Sequence, residues 1–581
     1  MVDTENNNTE GGVVLPSAES VLELLELDPD SLMSIKPLSK RLQYQAVVIW
    51  LTDYKCPQEV NNNLEIVKGY LEAFYHLGEV EDWERASKII ALEFDSLTQE
   101  DLLEKLNTWG YYPEQIDLCR KLLGKINYTW DSTCLKNLSQ SHNSLGNYQQ
   151  SMNFCEQLLV MAKNAGHHMD IETALSNQGT VHHSLGNYQK AMNCYQDGLT
   201  IAREIGDSSG IEKLLANIGS VYHSQGDYHQ AINYRKQHLE ITRVNRELAS
   251  EARALNNLGN TYNFLGEYQS AIDCCQQSVK IAKQINYRFV EIGALANLGI
   301  AYRCIADYSN AIECYKQSLN LAREIGVRAN IGNALGNLGI IYYFIADYPH
   351  AAEYCEQWLV IAREIGDVSG ISMALGNLGN VYHSLGNYQK SIEYHQQSLE
   401  IVKELGNLAS LGNVLGNLGN AYYSLGKYQE SLEYYQQTLE ISEKTGDKAV
   451  QARAMSDLGL VYKSLGNYQK SSDYQQQALV IAKEIDDIAQ VARVKGNIAG
   501  TLIELKRYSE ALEYLQEALA IFTKIGEPHG KAEALKNIAE THQHLGNLDA
   551  ARQYCDEALA IFTELGVPEL KGCQELREKL G

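Results

Sequence analysis

Shifted by forty residues, the chain falls onto itself. Gly376 to Tyr388 reads Gly-Asn-Leu-Gly-Asn-Val-Tyr-His-Ser-Leu-Gly-Asn-Tyr, and near copies stand at Gly336 to Tyr348, Gly416 to Tyr428 and Ser456 to Tyr468 without an insertion. A period of this length marks one small supersecondary unit that cannot bury its apolar face alone, so the units must stack in series. The register is set by a Leu-Gly pair at Leu258-Gly259, Leu298-Gly299, Leu338-Gly339, Leu378-Gly379, Leu418-Gly419 and Leu458-Gly459. Looser versions at Leu138-Ser139, Gln178-Gly179, Ile218-Gly219, Ile498-Ala499 and Ile538-Ala539 bring the total to eleven copies between about Asp131 and Gly566. The 581 residues therefore count repeats, not globular domains.

Within one copy the apolar spacing predicts two antiparallel helices. Leu375, Leu378, Tyr382 and Leu385 lie at i, i+3, i+7 and i+10, one face of a helix over about 371–384. Gly386-Asn387 ends it, with Asn387 suited to cap a second helix over about 388–404 that buries Ile392, Leu399 and Ile401. Gly406 and its equivalents Gly206, Gly326, Gly366, Gly446, Gly526 and Gly566 predict a left-handed C-terminal turn. Gly379 and Ser391, with Ala191, Ala231, Ala271, Ala311 and Ala351 at the latter place elsewhere, permit close helix approach, and Tyr382 and Tyr388 are expected to insert there.

Ahead of the regular array the pattern loosens. Residues 1–16 lack the apolar content to pack and are expected to be disordered. Residues 17–60 form a helical N-terminal cap, 61–130 two divergent helical hairpins, 131–566 the eleven repeats and 567–581 a C-terminal capping helix. The longest apolar run, Ala46 to Leu51, is far short of the roughly 18 residues of a membrane span. With the polar, acidic start this predicts a cytoplasmic protein without membrane insertion. A net charge of -24 argues against a nucleic-acid partner, which needs clustered Lys and Arg. Among the twelve cysteines, Cys155, Cys275, Cys355 and Cys555 share one repeat position and Cys194, Cys274 and Cys314 the one before it. Both lie in the second helix, where sister copies carry bulky residues, so they predict buried, reduced thiols.

The pattern Leu-Gly-x-x-Tyr followed by Gly-x-Tyr-x-x-Ala resembles the tetratricopeptide repeat, over about three quarters of the chain. The unit is longer than that family's usual 34 residues and resembles the forty-residue LGN/Pins type. The resemblance implies an all-α, right-handed superhelix, an α-solenoid whose first helices line a concave groove that binds peptides or partner proteins. It implies no enzymatic activity and no cofactor. Trp83-Glu84-Arg85-Ala86 and Trp109-Gly110-Tyr111-Tyr112 resemble the segment preceding the repeat sensors of STAND ATPases. That likeness implies an alternative role, a stand-alone sensor acting with a separately encoded ATPase or protease partner.

Candidate ligand contacts come from the first helices. One position is polar in every copy: Asn137, Asn177, Asn217, Asn257, Asn297, Asn337, Asn377, Asn417, Asp457, Asn497 and Asn537. Asparagine is a mediocre helix former. A row of amides facing a groove would offer paired donors and acceptors to an extended peptide backbone, as the LGN-type resemblance also implies. Equally, each amide could tie its repeat to the next. Around the row stand Asn260, Asn380 and Asn420, two basic stretches, Lys213-Arg253-Arg303 and Arg453-Lys463-Arg493, and an apolar middle of Ile300, Ile340, Tyr343 and Phe344. The expected ligand is a protein or peptide segment, acidic with an apolar anchor. The chaperone-type carboxylate clamp of the family is matched by Lys136, Asn177 and Lys213, but Gln140 and Asn217 stand at its other two places. No phosphate-binding glycine loop is present, and Tyr222, Tyr262 and Tyr302 stand where His182 does, so His142, His182, His183 and His223 read as packing residues and no metal is expected.

Overall fold

The computed structural model describes residues 9–10, 13–55, 63–94, 100–565, 567 and 569–581. Parts of the expected 1–16 tail, residues 56–62 where the 17–60 and 61–130 segments meet, residues 95–99 within the latter, Gly566 and Pro568 lie outside the described residues. The fold is all-helical, with 29 α-helices and one 3-10 helix among the described residues, beside a short pairing of Thr9–Glu10 with Val13–Val14 and an isolated bridge between Glu93 and Asp101. It divides into two compact units, Met1–Ala334 and Leu335–Gly581, the division running through the helix Arg328–Phe344.

The first unit opens with Ala18–Leu24, the 3-10 turn Pro29–Ser34 and Leu38–Thr52. Two irregular hairpins follow, Asn63–Glu79 with Trp83–Ile90 and Leu102–Trp109 with Tyr112–Leu122. Their apolar sides close one core around Phe74, Ile89, Phe94, Leu102 and Leu106. From Tyr128 each forty-residue copy gives a first (A) and a second (B) helix. Repeat 1 is Tyr128–Ser144 with Tyr148–Ala165, repeat 7 is Val368–Ser384 with Tyr388–Leu405, and repeat 11 is Pro528–His544 with Leu548–Leu565. The helix Glu569–Leu580 covers the last repeat with Cys573, Leu576 and Leu580.

The turn chemistry is as the sequence predicts. Gly406 ends its B helix at φ 66° and Gly386 follows its A helix at φ 76°, conformations that cost an L side chain about 1–2 kcal/mol. Asn387 then caps the B helix by accepting from the Lys390 amide at 3.2 Å. The A helix of repeat 7 starts three residues earlier than its apolar spacing suggests because Asp367 caps it through the Gly370 amide. Leu385 falls beyond the last turn and is 45% exposed instead of buried, and Ile401 is only part-buried.

The close approach of the two helices is made by other residues than expected. Tyr382 does not insert beside Gly379. It stacks on Tyr394 across the hairpin with ring centroids 5.4 Å apart, as Tyr422 does on Tyr434 and Tyr462 on Tyr474. The residue facing the glycine lies sixteen positions later, directly opposite in the antiparallel hairpin. A Cβ placed on Gly179, Gly299 or Gly379 would come within 2.5 Å of Tyr195, Tyr315 or His395. This layer also holds Cys155, Arg235, Cys275, Cys355, Tyr435, Gln475, Leu515 and Cys555, all buried. Burial lifts the Cys355 thiol to about 12, so it behaves as apolar bulk. Arg235, held down to about 10 by burial, donates to the Asn257 carbonyl and the Thr261 hydroxyl of the following A helix.

Candidate ligand-binding face

Four apart on a helix means the same side, so residues four before the ladder amide share its face. In repeat 9 (A helix Lys448–Ser464) these are Arg453 and Asp457, with Leu460 on the next turn. The A helices of repeats 8 to 11 bring this face to one cavity of about 500 Å³. Asn420, Arg453, Asp457, Lys463, Arg493, Asn497, Glu533 and Asn537 all open onto it. Three ladder positions, Asp457, Asn497 and Asn537, the basic residues Arg453, Lys463 and Arg493, and Asn420 therefore line one cavity.

The ladder divides in two. Some of its amides brace the array. Asn137 donates to the Thr133 carbonyl at 2.9 Å and accepts from Gln115 of the preceding hairpin at 2.9 Å. Asn297 donates to the Asn256 side chain at 2.8 Å and Asn497 to the Ser456 hydroxyl at 2.9 Å, each one repeat back. Asn217, Asn257, Asn337, Asn377, Asn417 and Asn537 are part-buried, and among the described residues their side chains have no hydrogen-bond partner. Asn177 is 5% exposed and its Nδ2 is likewise unpaired. A buried amide without a partner costs about 1–3 kcal/mol.

The basic residues also differ. Arg253 is exposed but turned onto the next repeat, donating to the Tyr287 hydroxyl at 3.3 Å and the Ser250 hydroxyl at 3.2 Å. Arg303 lies beside the Tyr315 hydroxyl, whose pKa is pushed up to about 12 chiefly by burial. Burial holds the Lys213 ammonium below its usual range, against the attraction of Glu172. Lys136 and Lys213 do flank one site, but a buried glutamate, Glu172, 3% exposed, stands with them where most repeats carry a small residue and the next carries Glu212. That acid opposes a carboxylate ligand at the clamp positions.

Further along, Tyr343 accepts from the Ser384 hydroxyl of the next repeat at 3.3 Å, the same pairing that Tyr423 makes with Ser464 at 3.0 Å. Phe344 stays 56% exposed and Met373 56% exposed beside the ladder of repeats 6 and 7. Asn260 and Asn380 are part-buried, while Asn420 is exposed and accepts from the Tyr435 hydroxyl at 2.6 Å. Asp457 is held by burial at about 7, with Arg453 and Arg493 pulling the other way. Glu533 is raised by burial, and Lys463 is lowered by burial against Glu504 and Glu540.

The histidines pack. His183 pairs with the Ser224 hydroxyl at 2.9 Å, His223 sits edge-on to Phe264 and His142 stacks on Phe154. Among the described residues no group of three or more His, Cys, Asp or Glu could hold a metal ion.

The tetratricopeptide repeat family pattern matches residues 131–204, 210–284, 291–364, 370–444, 410–484 and 489–565. The chain belongs to the tetratricopeptide repeat family. The matches begin where the forty-residue register begins and do not extend to the divergent hairpins before it, so the STAND-type resemblance there has no counterpart in them. None of the curated proteins matches. Among solved structures, the apo form of RapI is 16% identical, covers 61% of this chain and 98% of its own, and superposes with a TM-score of 0.51, which shows a shared fold. A Rap protein complexed with competence and sporulation factor is 15% identical over 66% of this chain and 99% of its own, at a TM-score of 0.42. BtubC (BKLC) from P. vanneervenii is 20% identical over 38% of this chain and 91% of its own, at 0.31. No helix of the described residues is long and apolar enough to cross a membrane.

Proposed function

We propose that this tetratricopeptide repeat array is a non-enzymatic scaffold that holds an extended segment of a partner protein along the ladder face. The observation that carries the reading is the set of unpaired amides. Asn217, Asn257, Asn337, Asn377, Asn417 and Asn537 keep a donor and an acceptor free where bracing alone would have used them. Spaced one per repeat, such amides suit main-chain groups of a ligand whatever its side chains. Arg253, and Arg453 with Arg493, each four residues before the ladder position of its own A helix, favour an acidic segment, and exposed Phe344 and Met373 offer contact to an apolar side chain.

The test is fluorescence anisotropy with an acidic peptide library at about 50 and 300 mM salt, where screening weakens exposed charge pairs. Peptides with one aromatic residue should bind best. Replacing Asn217, Asn257 and Asn377 together by Ala should abolish binding without change in helicity, and Arg253→Glu with Arg303→Glu should weaken it at low salt. Binding that survives the triple amide change would overturn the proposal.

A further inference from the structure

The cavity of repeats 8 to 11 carries a pattern that a plain acidic-peptide groove does not need. Arg453 and Arg493 project from consecutive A helices, Lys448–Ser464 and Ile488–Glu504, into the same 500 Å³ space. Among the described residues neither guanidinium has an ion pair or a hydrogen bond, although the chain holds 73 acidic against 49 basic residues. Between the two arginines, at the one rung of the ladder that is not asparagine, stands Asp457.

We propose that this cavity is a subsite for a phosphoryl group on the bound segment, so that phosphorylation of a partner strengthens its capture. The inference rests on the peptide-scaffold reading above and names the chemistry of one of its subsites. Each arginine offers five N–H donors in a planar fork, which matches the oxygens of a phosphoryl group bidentately. Lys463 adds a third positive head, and Asn537 adds an amide with no partner of its own. A single carboxylate would leave most of these donors unused. The phenyl ring of Phe522 and Ala534 form an apolar side against which the carrier residue can lie.

The charges favour a dianion. The groups facing Asp457 are Arg453 on its own helix, Arg493 on the next A helix, and Tyr435 on the B helix Tyr428–Thr445, whose hydroxyl is turned to Asn420. Glu533 lines the same space. Without ligand the carboxylate of Asp457 tempers the two guanidiniums. A phosphoryl group, carrying about 1.5 to 2 negative charges at neutral pH, would take over that role, and Asp457 would then bind a proton. Capture is therefore strongest near pH 6.5, where the second phosphate ionisation is largely complete and Asp457 readily protonates, and falls towards pH 8.

The experiment titrates the full chain with inorganic phosphate, and with a matched pair of acidic peptides bearing phosphoserine or serine, by calorimetry at pH 6.5 and 8. The phosphoserine peptide should bind about ten-fold more tightly than its serine partner at pH 6.5. Arg453→Gln with Arg493→Gln should remove that advantage, and phosphate binding with it, bringing the two peptides to one affinity, whatever the charge loss costs both of them in common. Asp457→Asn, which restores the residue of the other rungs, should abolish proton uptake and make pH 6.5 and 8 alike. Equal affinity for the two peptides, a phosphate response that survives the arginine changes, or no phosphate binding at millimolar concentration overturns the subsite. If both peptides fail while phosphate binds through the arginines, the subsite stands and the scaffold reading falls.

Discussion

His395 should make repeat 7 the acid-sensitive segment of its unit. Its imidazole is 1% exposed, its Nδ1 has no partner, and its ring lies against Gly379, where no side chain could yield. Burial, with a smaller contribution from His383, lowers its pKa from 6.5 to about 4. The fold therefore holds the neutral ring. The unfolded chain takes a proton as pH falls below 6.5, so stability present above that pH is lost progressively until about pH 4. A displacement from 6.5 to about 4 at about 1.4 kcal/mol per unit amounts to roughly 3 kcal/mol in full, and to about 2.5 kcal/mol by pH 4.5. The control is His395→Tyr, because Tyr195, Tyr315 and Tyr435 occupy the same place opposite a glycine in repeats 2, 5 and 8. Hydrogen exchange across Val368–Ser384 and Tyr388–Leu405 at pH 7.5 and 4.5 reads the segment itself, which matters because a repeat array need not unfold in one step. The wild type should lose about 2.5 kcal/mol of protection more than the variant. His238, also lowered to about 4, sits in the other unit and should be unaffected. Equal acid loss in wild type and variant would refute the reasoning.

Three other outcomes follow from the same packing. Ala346 takes the left-handed turn at φ 61° where most repeats use glycine, so Ala346→Gly should raise stability by about 1 kcal/mol, measured by urea melting. Gly419→Ala would put a methyl 2.7 Å from the Tyr435 ring, and should cost about 1–3 kcal/mol of overpacking, with the relief variant Gly419→Ala plus Tyr435→Leu recovering most of it. Asn297→Ala breaks a bond to the preceding repeat and should destabilise by about 1–3 kcal/mol, whereas Asn377→Ala, with no bond to lose, should be near neutral in a thermal melt.

Most of the architecture was legible because one signal was repeated eleven times. The Leu-Gly register located every hairpin from Tyr128 onward, and the turn glycines located their ends. What escaped is set by relations between helices. The partner of Gly379 is sixteen residues away, a distance fixed by the turn geometry and not by any periodicity within a helix. Leu385 continues the apolar spacing but lies past the point where Gly386 turns the chain away from the core. Arg253 shares its ladder position with Arg453, yet only Arg253 has a tyrosine, Tyr287, in reach on the following repeat. Its bond could not be foreseen from the A helix alone.

The bracing contacts do carry a signal that a sequence can show. Asn297 reaches Asn256, Asn497 reaches Ser456, His383 reaches Ser424 and Tyr343 reaches Ser384, all pairs separated by forty-one residues, one more than the repeat. That offset follows from stacking, since adjacent A helices touch through residues one step out of register. The same rule explains the unpaired rungs. Asn377 and Asn417 look back to Gly336 and Gly376, which have no side-chain acceptor, and each amide is left free. The residue forty-one positions earlier therefore has to carry an acceptor for a rung to brace, but an acceptor alone does not suffice, since Asn217 looks back to Ser176 and the Ser176 hydroxyl has no partner. A repeat with a small residue there gives up a bond between its neighbours and keeps an amide for a partner. Along this chain the longest run of such repeats, from Asn377 to Asn417, ends just before the arginine-lined cavity that begins at Asn420.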